Sequence, residues 1–215
     1  RNPHDLKRTP GVSSSGSAAA VADFMVPLAN GTQTGGSVIL PASFCGVVGY
    51  KASLNGLDRH GIAGLKKTLD TLGYFARCVD DIALLYTALT GQKIPNDPVT
   101  PRIGLCRTPM WMEAEDCAQQ VLENTASELS AVGYDVEDVD LPPEFDAIED
   151  IFRVISNYEG KRALADEFRN HMGKMNPWMQ ETGRSTWTDE EYRDALAAAD
   201  KAREALFLLF ENHPV

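Results

Sequence analysis

Two serine-bearing glycine clusters constrain this chain more than any other feature. They are Gly11-Val12-Ser13-Ser14-Ser15-Gly16-Ser17 and Gly31-Thr32-Gln33-Thr34-Gly35-Gly36-Ser37, and they place Ser37 24 residues after Ser13. Glycine reaches backbone dihedrals closed to other residues, so a serine after paired glycines can sit on a turn where successive amide N–H groups converge. Such a nest holds an oxyanion or a phosphate. The phosphate-loop pattern requires Gly-Lys-Ser/Thr leading into a helix, whereas Ser37 is followed by Val38-Ile39-Leu40-Pro41, so phosphate is the lesser reading. The Gly-Xaa-Ser-Xaa-Gly nucleophile elbow fails as well, because it needs glycine where Ile39 stands.

The chain around these clusters is built to fold. Its 215 residues, 43% hydrophobic, suffice for one substantial core or part of a larger one. The formal net charge of -11 is spread over several helical stretches and argues against a binder of phosphate backbones, so no nucleic acid is expected as partner. Cys45, Cys78, Cys106 and Cys117 form no CxxC pair and read as reduced, mostly buried thiols, which fits a cytoplasmic protein. No run of about eighteen apolar residues exists, and no membrane association is expected. Both ends read as interior to a longer fold, and the chain is expected to be an internal piece of one.

Residues 1–76 are rich in glycine, serine and small apolar residues, with a helix expected over Ser17 to Asp23 and strands over Met25 to Ala29 and Gly46 to Lys51. A helix from Cys78 to Leu89 follows from the spacing of Val79, Ile82, Leu85 and Leu89, with Gly91 as its stop. Strand Arg102 to Cys106, helix Glu113 to Val132 and strand Asp135 to Leu141 imply a right-handed parallel βαβ unit. The helix is amphipathic, with Cys117, Val121, Thr125, Leu129 and Val132 on one face, and Gly133 suits its C′ position. Phe145, Ile148, Phe152 and Ile155 mark an amphipathic stretch, a connector runs from His171 to Trp187, and Thr188 with Glu191 forms a capping box for a helix through Phe210.

With the following segment Pro41-Ala42-Ser43-Phe44-Cys45-Gly46-Val47-Val48-Gly49-Tyr50-Lys51, the two clusters resemble, in order and spacing, the amidase-signature family over about the first ninety residues. The resemblance implies an α/β fold with a mixed central sheet flanked by helices, here partial. All of 1–215 would belong to one domain: 1–91 the signature core with the serine loops, 92–141 a βαβ flank, and 142–215 a helical subregion. It implies a Ser–cis-Ser–Lys triad that cleaves a carboxamide through an acyl-serine. Ser37 matches the nucleophile, and Ser13 the serine that follows a cis bond and relays the proton. Backbone N–H groups of Thr34, Gly35, Gly36 and Ser37 would hold the oxyanion, and Ser14 would touch substrate. The family lysine lies well upstream of the serine-rich loop, and Lys7 does not match its position. Val12 stands at a usual glycine, Gln33 at a frequent aspartate, Ser15 at a common glycine, and Ile39 and Leu40 where members often carry arginine. No cofactor and no metal is implied. The partner is a small-molecule amide, and a homodimer is the expected assembly.

Two other functions stay open. A related amidotransferase subunit would deliver ammonia to charged tRNA by the same chemistry, and a non-catalytic amidase-like protein would bind a small molecule or partner without turnover. Single residues also have plain readings. Ser13, Ser14 and Ser15 suit a loop and helix cap. Cys45 sits in an apolar run. His4, His60, His171 and His213 lack metal-ligand spacing. Asp80 and Asp81 suit a first helical turn. Trp178, Trp187, Met172, Met175 and Met179 either pack on the core or line an acyl pocket.

Overall fold

The computed structural model describes residues 1–94 and 100–212. In chain order its elements are α1 (Ser15–Ala22), β1 (Leu28–Gln33), α2 (Ile39–Cys45), β2 (Val48–Lys51), β3 (Thr71–Ala76), α3 (Val79–Thr90), β4 (Arg102–Leu105), α4 (Asp116–Ala131), β5 (Asp135–Asp138), α5 (Ile148–Ala163), α6 (Ala165–His171), α7 (Pro177–Arg184) and α8 (Asp189–Asn212). The fold is mixed α/β. The residues form two compact units, one of Arg1–Asn96 with Glu159–Gly183 and the other of Asp97–Tyr158 with Arg184–Val215. His213 lies outside the described residues.

In the first unit an antiparallel sheet runs β1-β3-β2, with β3 in the middle. The core beside it comprises Ala18 and Val21 of α1, Val38, Ala42 and Cys45 around α2, and Phe75 of β3. β3 is absent from the sequence reading. It is buried on both faces, so the alternation that marks a half-exposed strand is missing from it. Its Gly73 is dictated by packing, because a Cβ there would stand 2.6 Å from the Tyr50 carbonyl oxygen and 2.8 Å from Val38 Cγ2. β1 lies three residues later than the expected strand, so Gly31, Thr32 and Gln33 are strand rather than loop.

α2 corrects the expectation for the residues after Ser37, for a helix does begin there. Pro41 is its third residue, where an N–H would have no intrahelical acceptor, so the ring costs no hydrogen bond. Gly46, with φ 63°, closes the helix in the left-handed region. The N-terminal segment is tied to the same end. Asn2 Nδ2 donates to the Phe44 carbonyl at 2.6 Å, His4 Nε2 lies 2.9 Å from the Cys45 carbonyl, and Cys45 Sγ donates to the Pro10 carbonyl at 3.5 Å.

In the second unit β4 and β5 pair in parallel, Arg102 opposite Asp135, as the strand–helix–strand spacing predicts. Arg102 bridges Asp135 and Glu137, and Arg107 bridges Glu123 and Asp138. Gly133 takes φ 97° just past α4. The periodicity of α4 sets a helix but not its cover. None of its residues is buried, and Val121 and Val132 are 65% and 74% exposed. The cysteines are likewise less enclosed than expected: Cys45 is buried and Cys106 partly so, but Cys78 and Cys117 are exposed. Small size and weak polarity let a thiol sit in either place. The connector from His171 to Trp187 begins at the end of α6 and contains α7.

The expected capping box is present. Glu191 N–H donates to Thr188 Oγ1 at 3.2 Å, and Glu191 Oε2 accepts from Thr188 N–H and Oγ1, each at 2.8 Å. The Thr188 N–H, then its hydroxyl, hold the Glu191 carboxyl below its ordinary value. A folded-state value below the unfolded one stabilises at neutral pH and is lost as pH falls through the carboxylate range. Thr188→Ala should cost about 1 kcal/mol by denaturant unfolding, and that difference should shrink on acidification.

Candidate active site

The Thr34–Ser37 turn lies between β1 and α2, and one buried side chain shapes it. Gln33 Oε1 accepts from Val38 N–H at 2.8 Å and Ile39 N–H at 3.0 Å, while its Nε2 donates to the Gly35 carbonyl at 2.6 Å. Two donors on one side and an acceptor on the other fix the amide's orientation. Gln33 thus satisfies two orphan donors at the start of α2 and folds the glycine pair back on itself. Gly36 lies close under Leu40, where a Cβ would stand 2.6 Å from Leu40 Cδ1 and make that side chain shift. The two residues at the usual arginine position, Ile39 and Leu40, therefore contribute to the turn's closure from the helix side.

A second clamp holds the turn's other end. Thr34 Oγ1 donates to Asp70 Oδ1 at 2.6 Å, and Asp70 Oδ2 accepts from Leu65 and Lys66 N–H, each at 2.8 Å. Asp70 and Lys66 escaped the sequence reading, because a Leu65-Lys66-Lys67-Thr68 stretch looks like solvated loop. Lys66 is in fact 8% exposed, and burial, opposed by Asp70 and Glu159, pushes its ammonium below the usual lysine value.

Between these clamps the amide N–H groups of Thr34, Gly35, Gly36 and Ser37 have no hydrogen-bond acceptor among the described residues, and neither does the Ser37 hydroxyl. Four successive uncommitted donors beside a half-buried serine are the raw material of an anion nest.

The other serine cluster is fastened to the same scaffold. Ser14 Oγ donates to the Thr32 carbonyl at 3.2 Å and accepts from Thr32 N–H at 3.3 Å. Gly31 permits that approach, as a Cβ there would be 2.7 Å from Ser14 Oγ. Gly11, at φ 120°, passes so close to Pro41 of α2 that a Cβ would stand 2.6 Å from its Cα. Ser13 lies between these contacts, exposed, and makes no hydrogen bond to Ser37. The bond preceding Ser13 is trans, as are the other described peptide bonds, which corrects the expected cis form. An ordinary amide prefers trans by roughly 3–4 kcal/mol. Cys45 is buried, and burial raises its thiol above the ordinary value, consistent with a packing role. Asp80 and Asp81 lie in the first turn of α3.

A family model described as Amidase matches residues 1–208. A glutamyl-tRNA(Gln) amidotransferase subunit from Sulfurihydrogenibium sp. (strain YO3AOP1) is 36% identical over 185 residues, 77% of this chain and 37% of that protein. The protein of the same name from Treponema pallidum (strain Nichols) is 50% identical over 94 residues, 44% of this chain and 19% of its own. A crystal structure of an amidase superposes with a TM-score of 0.89 at 30% identity, over 98% of this chain and 49% of that one. The chain spans about half the length of such solved structures and a smaller share of the curated relatives.

Proposed function

The chain belongs to the amidase family, and from that premise we propose that it carries the acylating serine of an amide hydrolase. Ser37 Oγ attacks the carboxamide carbon, forming the C–O bond while the carbonyl oxygen takes up negative charge. The observation that carries this reading is the run of uncommitted N–H groups from Thr34 to Ser37, donors of the kind that stabilise such an oxyanion. Each donor of this type contributes roughly 10²–10³ in rate. Collapse of the intermediate breaks the C–N bond, the leaving amine takes a proton, and water then releases the acid from the acyl-serine.

Ser37 needs a base before it attacks. In this reading Ser13 relays the proton towards a lysine at the family's upstream position, which Lys7 does not match, and Ser14, locked to Thr32, sets where Ser13 stands. Among the described residues no helix is long and apolar enough to cross a membrane.

The test is labelling with a serine-directed fluorophosphonate, applied to this chain and to a form extended upstream, with the adduct located by peptide mapping. Label on Ser37 in the extended form alone supports an acylating site that depends on an upstream base. Failure of both forms favours the non-catalytic reading. The names of the curated relatives favour a second outcome of the same acyl-serine chemistry, transfer between an amide and a tRNA-linked acceptor. Ammonia release from a free amide without any acceptor distinguishes hydrolysis from transfer.

A further inference from the structure

We propose that Lys66, held beneath the face of Trp178, forms a subsite for a second, uncharged carbonyl in the acyl portion of the amide. This deepens the hydrolase reading and rests on it. Lys66 Nζ lies 5.3 Å from the centroid of the Trp178 ring, and Trp178 is 60% exposed. The lysine itself is 8% exposed, yet its ammonium has no hydrogen-bond acceptor and no carboxylate within ion-pair distance among the described residues. Nor is the ammonium one of the polar atoms sealed from solvent. The ammonium at the end of this largely enclosed side chain is thus reachable from solvent, and its three donors have no acceptor among the described residues.

The surroundings are shaped around that group. Gly160 of α5 leaves it room: a Cβ would stand 3.2 Å from Lys66 Cε and 3.4 Å from Thr182 Cγ2. The neighbouring carboxylates are occupied elsewhere. Asp70 receives Thr34 Oγ1 and the Leu65 and Lys66 N–H groups, and Glu159 receives Thr68 Oγ1 at 2.7 Å and Thr68 N–H at 3.1 Å.

These two carboxylates decide the ligand's charge. They act on Lys66 electrostatically without bonding its ammonium, so a third negative charge would meet repulsion from both. A neutral carbonyl supplies the missing acceptor without that penalty, and the indole offers a flat apolar wall for the chain that bears it. Asp70 also links this subsite to the candidate nucleophile loop, because one carboxylate anchors both the Thr34 hydroxyl and the Lys66 backbone. A diamide is therefore the substrate class this site fits.

The experiment is a ligand-observed NMR titration of the Ser37→Ala chain with succinamide, butyramide and succinamate. Using that variant keeps the ligands intact and makes the result independent of fluorophosphonate labelling, so the subsite and the hydrolase reading can fail separately. Succinamide should bind about tenfold or more tightly than butyramide, with succinamate no tighter than succinamide. Lys66→Met should erase the preference. In the chain with Lys66 intact, transferred magnetisation between succinamide and the Trp178 indole gives the same information if that variant does not fold. Equal or absent binding, preference for succinamate, or a preference that survives Lys66→Met overturns the proposal.

Discussion

Ser37→Ala, made in the upstream-extended form that labels, abolishes fluorophosphonate modification and lowers amide turnover by about 10⁴-fold or more, the scale on which loss of a nucleophile acts in serine hydrolases. The hydroxyl is the only atom removed, and it makes no hydrogen bond among the described residues, so nothing structural depends on it. Thermal or denaturant unfolding should therefore change by less than about 0.5 kcal/mol. That pairing is what makes the result informative. A large loss of turnover with unchanged stability assigns the loss to chemistry, whereas turnover that persists removes Ser37 from the nucleophile's role. Ser13→Ala provides the contrast: it should slow acylation yet leave residual labelling, since a relay is lost but the attacking oxygen remains.

The serine-bearing turns were legible in the sequence, as was the mixed α/β class, while several elements around those turns were not. Paired glycines, a fixed 24-residue separation and the Pro41–Lys51 run are local facts, and they pointed to the Thr34–Ser37 turn and to Ser14 beside it. The helix capped by Thr188 was legible for the same reason, since a capping box is read from four consecutive residues. The features that escaped depend on partners distant in sequence. β3 is buried because two strands flank it and α1 and α3 lie against it, a condition no window of six residues records. α2 was hidden by Pro41, whose cost vanishes only because it falls in the helix's first turn. Lys66 was hidden because its burial is decided by Gly160, Trp178 and Glu159, which lie far along the chain from it. The exposed face of α4 is the opposite case, in which a legible pattern says nothing of its cover.

Gln33→Ala should be the most damaging change near the site that touches no reacting atom. At 7% exposure the side chain is out of reach of replacement by bulk water, and its removal strips the partners from Val38 N–H, Ile39 N–H and the Gly35 carbonyl together. Each buried polar group left unmade costs about 1–3 kcal/mol, and partial relaxation of the turn brings the expected loss to about 3 kcal/mol by urea unfolding. The same relaxation frees Gly35 and Gly36 to reorient their amides, so labelling of Ser37 in the extended form should fall further than stability alone accounts for. Gln33→Asp separates the two effects. A shorter carboxylate can still accept from the start of α2 but has no N–H for the Gly35 carbonyl, so it should recover helix stability before it recovers labelling. If Gln33→Ala instead unfolds at the same urea concentration and labels at the same rate, then the turn is held by Asp70 and Leu40 alone, and the uncommitted amides owe their arrangement to something other than residue 33.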